Sequence, residues 1–386
     1  MTRSPYAEDL ALAISTVHAA SLLTKRVLRT FSTSVSAETK ADDSPVTIAD
    51  FAAQAILIAA LHAAFPSDAF VGEESAQALR RNAELADKVW ELVRRAAAEH
   101  DEDGTSQLRR RLHFPATKAE MLDAIDLGAQ STQQTSQGRV WVLDPVDGTA
   151  SFMENKQYAV CLCLLVDGVQ EVAVTGCPNL KWDVISEGEW DAEANAKAPR
   201  RIHEDLVDAE GYGVLLHAVR GEGAFIRKIH ETGLGEPQRI VINDDVATTT
   251  SKDLSTLNFI EATLGKSSLS QSDHEAVARL LSAPWPGTIL WSQQLKYVAL
   301  ALGATDVMLR IPTDKGRYTH VWDHAGGHLL LTEAGGIVRD LEGGEIDFGR
   351  GRRILGTRNF GMVATRKWCF EGVMQAVSEV LRRRGG

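Results

Sequence analysis

Val140-Trp-Val-Leu143, a short strand-like run, leads straight into Asp144-Pro-Val-Asp-Gly-Thr149, and no other stretch constrains the fold of this chain as tightly. The strand delivers Asp144 to the edge of a sheet, where ligands bind in α/β folds. Pro145 forces a bend and removes a backbone donor. Asp147 can then point to the same side as Asp144, at two successive corners of a turn. Gly148 permits close approach to a ligand, and Thr149 stands near a helix start, where free N–H groups can receive a phosphate oxygen. An Asp-Pro-x-Asp-Gly run also makes an ordinary surface turn, so the reading depends on what the rest of the chain supplies.

Three further acids stand at comparable junctions: Asp50, Glu73 and Asp323. Each has an ordinary reading by itself. Asp50 can cap a helix, Glu73-Glu74 can be a solvated strand end, and Asp323 can cap a helix starting at His324. Taken together with Asp144 and Asp147 they mean more. Carboxylates brought to ~4 Å repel by ~4 kcal/mol per pair at an effective dielectric near 20. A fold that gathers them needs divalent cations, and an all-oxygen set without His or Cys points to Mg²⁺ over zinc.

The surrounding pattern predicts α/β organisation. Residues 5–31 read as an amphipathic helix with Leu10, Ile14, Val17 and Ser21 on one face. An Ala-rich helix follows Asp50 and ends before Pro66. Residues 69–75 read as a strand, 76–100 as one helix with a solvated face, and 128–138 as a loop near the rim of the site. Residues 158–166 and 171–176 form a hairpin about Asp167-Gly168, and a second hairpin turns at 220–223. The last third alternates strands and helices (257–262, 292–302, 306–310, 322–334 and 337–340), as an α/β lobe does.

The 386 residues allow a two-lobed unit, and a net charge of −11 excludes a general nucleic-acid coat. Cys161, Cys163, Cys177 and Cys369 lack zinc-site spacing and read as buried small hydrophobes in a reducing compartment. No apolar run reaches membrane-spanning length. Arg26 and Arg29 could suggest a mitochondrial presequence, but Glu8, Asp9 and the helical period favour a structural first helix. Arg109-Arg110-Arg111 reads as an exposed charge run rather than an anion patch.

Four motifs, Ser44-Pro-Val-Thr-Ile-Ala-Asp50, Gly72-Glu-Glu-Ser75, Trp141-Val-Leu-Asp-Pro-Val-Asp-Gly-Thr149 and Trp322-Asp-His-Ala-Gly-Gly327, resemble in order those of the inositol monophosphatase superfamily. Gln157-Tyr-Ala-Val-Cys161, Gly176-Cys-Pro-Asn-Leu180, Ala218-Val-Arg-Gly-Glu-Gly-Ala-Phe225, Lys296-Tyr297 and Asp306-Val-Met-Leu-Arg310 resemble its 3'(2'),5'-bisphosphate nucleotidase branch. The resemblance covers most of the chain except residues 76–120 and 185–210.

It implies a layered αβαβα fold of the α/β (α+β) class. An N-terminal lobe, 1–240, would carry most metal ligands, and a C-terminal lobe, 241–386, would add Asp323 and the substrate pocket. Glu73, Asp144 and the Val146 carbonyl would hold one Mg²⁺, and Asp144, Asp147 and Asp323 a second. Asp50 and Thr149 would orient the attacking water, with Glu73 serving a weaker third ion. Thr149, Gln293, Lys296 and Arg310 would contact substrate. The resemblance further implies lithium sensitivity, a role in sulfate assimilation, a cytoplasmic setting, and a monomer or homodimer that acts on a small phosphorylated substrate rather than on a nucleic-acid polymer or a membrane.

The chain departs from that branch at Ala150-Ser151, where Lys-Gly is usual, and at Ser292-Gln293-Gln294, where Asp-Ser-Gln is usual. A His-Ser-Ser-His-like stretch is also missing, with only His274 to stand in. Two alternatives follow: a phosphatase of inositol phosphates or other small phosphomonoesters, and a catalytically silent binding protein on the same fold.

Overall fold

The structure, a computed structural model, describes residues 4–30, 37–39, 45–102, 112–130, 135–182, 202–242, 253–262 and 268–384. Helix α1 (Ala7–Thr30) has Glu8 and Asp9 in its first turn, where carboxylates oppose the positive end of the helix dipole. Leu12, Val17, Ala20 and Val27 lie in the core. Its arginines are structural too: Arg26 pairs with Glu99 and Glu231, and Arg29 donates to the carbonyls of Glu210 and Gly211 at 2.6 and 2.8 Å.

A short ribbon, β1 (Ala37–Thr39) with β2 (Pro45–Thr47), leads into α2 (Ile48–Ala64), which is buried almost all round. Its alanines let neighbouring helices approach closely. After β3 (Ala69–Gly72), the single helix expected from 76 to 100 is divided into α3 (Gln77–Arg81) and α4 (Ala83–Glu102). Asn82 is extended, and its side-chain oxygen accepts the Leu85 N–H at 3.1 Å, the capping bond that starts a new helix. Helix α5 (Lys118–Gln130) extends into the segment expected to be a loop. Met121, Ala124 and Ile125 are buried at helical spacing, and Gly128 lies in the helix instead of a loop. The Arg109–Arg111 run lies outside the described residues.

The large sheet is built from β3, β4 (Arg139–Asp147), β5 (Ala159–Val166), β6 (Val169–Cys177), β7 (Val214–Val219), β8 (Gly223–His230), β9 (Gly233–Leu234) and β10 (Gln238–Ile240), with α6 (Thr149–Met153) between β4 and β5. Its order is β10-β8-β7-β6-β5-β4-β3, with β9 beside β8. Only β3 and β4 run parallel; the other pairs are antiparallel. Asp167 and Gly168 both take positive φ, 50° and 83°, as the two-residue hairpin predicts.

The remaining chain supplies β11 (Phe259–Glu261), α7 (Gln271–Leu280), β12 (Thr288–Ile289), α8 (Gln293–Ala301), β13 (Val307–Arg310), β14 (Tyr318–His320), α9 (Ala325–Ala334), β15 (Ile337–Arg339), β16 (Arg353–Leu355), β17 (Met362–Thr365) and α10 (Phe370–Arg384). The second sheet has the order β12-β11-β13-β17-β15, and β14 pairs with β16 as a separate ribbon.

Strand β5 shows how the layers form. Val160, Leu162 and Leu164 face α1, α2, α4 and α5, while Cys161, Cys163 and Leu165 face α8 and α9. Both faces are apolar because both are covered. Helices α8 and α9 in turn touch Ile260, Met308 and Ala364 of the second sheet. The far face of that sheet, Phe259, Val307, Leu309 and Val363, packs on Val277 of α7 and on Val373 and Val377 of α10. The sequence of layers is therefore αβαβα. All four cysteines are free and buried. Among the described residues no helix is long and apolar enough to cross a membrane.

Candidate active site

Asp144 and Asp147 share one side because β4 contains a bulge. Asp144 pairs with Cys161 and Asp147 with Ala159, so three steps on β4 match two on β5. In regular alternation the two acids would face opposite ways. The extra residue turns both toward the face of Cys161 and Ala159, which is the face covered by α8 and α9. The strand thus runs through the motif, where a turn after Leu143 was expected. Pro145 is tolerated at the bulge because the ladder is already interrupted there.

The middle layer meets these acids with backbone donors. One Asp147 oxygen accepts from the Ser292 hydroxyl and from the Gln294 N–H at 2.6 Å; the other accepts from the Gln293 N–H at 3.3 Å. Asp147 thereby sits on the N-terminus of α8. Asp323 precedes α9 and does not cap it. Its Oδ2 accepts from the Thr319 hydroxyl at 3.2 Å and from the His320 N–H at 3.3 Å. One proton order satisfies the whole chain of bonds behind it. Tyr297 donates to His324 Nδ1 at 2.9 Å, His324 Nε2–H donates to Thr319 at 2.9 Å, and Thr319 donates to Asp323. Burial holds His324 well below its usual range, so a neutral imidazole suits this order.

Asp144, Asp147 and Asp323 can place carboxylate oxygens within 4.8 Å of one another. Glu73 and Asp50 lie close enough to act on this group electrostatically. Asp50 lies inside the first turn of α2 and is fully buried. One turn later Gln54 takes the Glu74 N–H at 3.0 Å and donates to the Glu74 and Ile125 carbonyls at 2.8 and 3.0 Å, which fixes the strand end that carries Glu73. The Thr149 hydroxyl donates to the Val146 carbonyl at 3.1 Å, leaving that oxygen a second lone pair. Helix α6 is little more than one turn long, so its dipole lends less charge to an anion than a full helix would.

Burial, followed by the charges of Glu73, Asp147, Asp323 and Asp50, holds Asp144 well above the usual carboxylate range. Burial and Asp323 push Asp147 up to about 7, against the opposing bonds from Ser292, Gln294 and Gln293. Burial raises Asp323 as well, against His320. Like charges at 4.8 Å repel by ~3.5 kcal/mol at an effective dielectric near 20. Three crowded oxygen donors with raised pKa fit a hard divalent cation, which removes both the repulsion and the protons.

The residues expected to meet substrate divide into two groups. Lys296 is buried on α8 and makes no ion pair among the described residues; burial and then Arg310 lower it to about 8. Arg310 and Gln293 are bound to each other at 2.6 Å, and Arg310 also reaches Thr319 at 3.3 Å. Gln293 has its carboxamide nitrogen on Met308 sulfur at 3.1 Å. His274 is fully buried, paired with Glu261 at 2.9 Å and accepting the Ile311 N–H at 3.0 Å. It holds β11 to α7 and has no surface left for a ligand.

The sequence model described as the inositol monophosphatase family matches residues 6–380. The chain belongs to the inositol monophosphatase family. A 3'(2'),5'-bisphosphate nucleotidase of Schizosaccharomyces pombe is 38% identical over 375 residues, 96% of this chain and 94% of that protein. One of Emericella nidulans is 37% identical over 377 residues, 98% of this chain and 99% of that protein. Among solved structures, the IMPase of Thermotoga maritima superposes with a TM-score of 0.56 at 16% identity, over 97% of this chain and 99% of that one. An IMPase/NADP phosphatase complexed with Mg²⁺ and phosphate gives a TM-score of 0.52 at 16% identity, over 91% of this chain and 89% of that one. These two share the layered fold.

As in the rest of the inositol monophosphatase family, the function is phosphoric monoester hydrolysis and is metal-dependent. Sequence reading missed three residues beside the acids. Gln54 and Gln294 are buried amides whose partners lie far along the chain. Arg352 stacks on Trp322 at 4.6 Å, donates to the Gly128 carbonyl at 3.1 Å and reaches the Glu73 carbonyl at 3.5 Å. Only Gln294 lay in a stretch that the sequence singled out.

Proposed function

We propose that this chain is a Mg²⁺-dependent 3'(2'),5'-bisphosphate nucleotidase that converts adenosine 3',5'-bisphosphate and water to AMP and inorganic phosphate. The observation that carries the reading is the convergence of Asp144, Asp147 and Asp323 within 4.8 Å, next to a motif that ends in Thr149. The nucleotidases that align over nearly the whole chain support the choice of substrate.

Glu73, Asp144 and the Val146 carbonyl would hold one ion, and Asp144, Asp147 and Asp323 a second, with a weaker third at Glu73. Bound divalent ions neutralise the phosphate oxygens and lower the pKa of water. The protein's task is then positioning. The Thr149 hydroxyl donates its hydrogen bond to the Val146 carbonyl, so its oxygen is free to accept a hydrogen bond from the water. Asp50 takes the other water proton. The water oxygen adds to phosphorus in line as the bond to the ribose oxygen breaks; that oxygen takes a proton from solvent water, and Asp50 returns its proton to solvent. Lys296 meets the second phosphate, since a buried ammonium with no carboxylate partner among the described residues is completed by an anion. Arg310 and Gln293, already bound to each other, form the wall beside it.

Phosphate release from adenosine 3',5'-bisphosphate, inositol 1,4-bisphosphate and inositol monophosphate, with and without Mg²⁺, tests the reading. Mg²⁺-dependent release with preference for the adenosine compound is expected. Preference for either inositol phosphate would move the assignment to the other branch, and release from none would overturn the enzyme.

A further inference from the structure

Two of the clustered acids come from different sheets' connections, 176 residues apart: Asp147 from β4 and Asp323 from the segment before α9. Neither touches the other through a hydrogen bond of its own. Gln294 bonds to both neighbourhoods at once. Its backbone N–H donates to Asp147 Oδ2 at 2.6 Å. Its side-chain NH₂ donates to the Trp322 carbonyl at 2.6 Å, immediately before Asp323, and its side-chain oxygen accepts the Gly327 N–H at 2.7 Å, in the first turn of α9. The residue is fully buried.

The fit around it is tight. A Cβ on Gly327 would stand 2.7 Å from the Gln294 oxygen and 2.5 Å from a Tyr297 ring carbon, so only glycine lets the amide reach the α9 backbone. An amide is the side chain that suits both partners, because it offers one donor and one acceptor in a single plane. A carboxylate would face the Trp322 carbonyl with a lone pair. A hydrocarbon would leave that carbonyl and the Gly327 N–H buried without partners, which costs about 1–3 kcal/mol each.

We propose that Gln294 is the positioning residue that sets the spacing between Asp147 and Asp323, and hence the affinity of the cluster for its divalent ion. Its side chain is engaged by the Trp322 carbonyl and the Gly327 N–H, so it acts through these neighbours and not as a ligand. It fixes where the α9 end of the site stands relative to the α8 end, and ligand oxygens displaced by a fraction of an ångström lose the near-ideal geometry that Mg²⁺ demands. The inference rests on the metal-site reading above and adds a residue that acts through its neighbours.

The test is direct binding of Mn²⁺, read by electron paramagnetic resonance, together with Mg²⁺ titration calorimetry, on wild type, Gln294→Met and Gln294→Glu. Met keeps the volume and removes both side-chain bonds. Both variants should bind ions about tenfold more weakly. At saturating Mg²⁺, turnover should recover to within a few-fold of wild type, so the loss lies in half-saturation more than in kcat. A role in packing alone would lower the thermal midpoint while leaving ion affinity within twofold of wild type, and that result overturns the inference. Should Gln294→Met not fold, Gln294→Glu decides by the same ion-affinity criterion, its length and branching being unchanged. Wild type that binds no divalent ion would sink the metal-site reading itself, a different outcome from wild-type affinity in the variants.

Discussion

At the residue scale, the site is a set of carboxylates held against their own repulsion. Replacing Asp147 with Asn should reduce turnover by at least about 10³-fold, beyond what loss of a single positioned donor costs. Circular dichroism and the thermal midpoint without metal should stay at or above wild type, since a buried charge is removed. Lys296→Met should raise KM for the bisphosphate about 10- to 100-fold, the worth of one or two charge-assisted hydrogen bonds; an unchanged KM would remove Lys296 from the substrate. Lys296 lies near 8 in the free protein, so kcat/KM should fall as pH rises above 8, and this limb should vanish in Lys296→Met. The acids themselves were legible because they sit in short, distinctive motifs. Gln54, Gln294 and Arg352 were not, because an amide or guanidinium that serves a carbonyl far along the chain leaves no local pattern.

At the element scale, the sequence conveyed the type of most elements and missed some of their joints. Hairpin β5–β6 was readable from Asp167-Gly168 and from the apolar runs on either side. The break at Asn82 was hidden because the apolar period continues across it, and only the capping bond to Leu85 reveals a new helix. Helix α5 was hidden by its Gln- and Gly-rich end. The bulge in β4 was read as a turn after the strand, because proline and glycine signal both. These joints carry stability that can be measured. Asn82→Ala should cost about 1 kcal/mol, the usual loss of an N-cap. Leu164→Ala, in the layer beneath α1 and α2, should cost about 2–5 kcal/mol in urea unfolding. A cost near zero would place Leu164 outside the close-packed core.

At the scale of the whole molecule, ion binding and folding are linked. Asp144, Asp147 and Asp323 hold protons in the metal-free fold that the unfolded chain would release near pH 4. Their contribution to stability is therefore present at low pH and lost as pH rises through the folded values, which for Asp147 is about 7. On the proposed reading ions would bind the deprotonated set, so Mg²⁺ should raise the thermal midpoint more at pH 8 than at pH 6. At a hundredfold excess over Kd the gain is about 2.7 kcal/mol; an equal gain at both pH values would mean that no proton is displaced. Li⁺ at fixed Mg²⁺ should inhibit turnover, and full activity in a large excess of Li⁺ would contradict the nucleotidase branch. The αβαβα order was implied by motif resemblance more than by periodicity, because the apolar runs of β4 and β5 show that both faces are covered without showing by what.

The surplus residue in β4 also sets a rule for the strand. Were the same residues held in even alternation, with no bulge at 145–146, Asp147 would swing into the hydrocarbon beneath α1 and α2. Such a protein could still assemble its sheet, yet its carboxylate cluster would be broken. The irregularity is therefore as much a part of the enzyme as the acids it aligns.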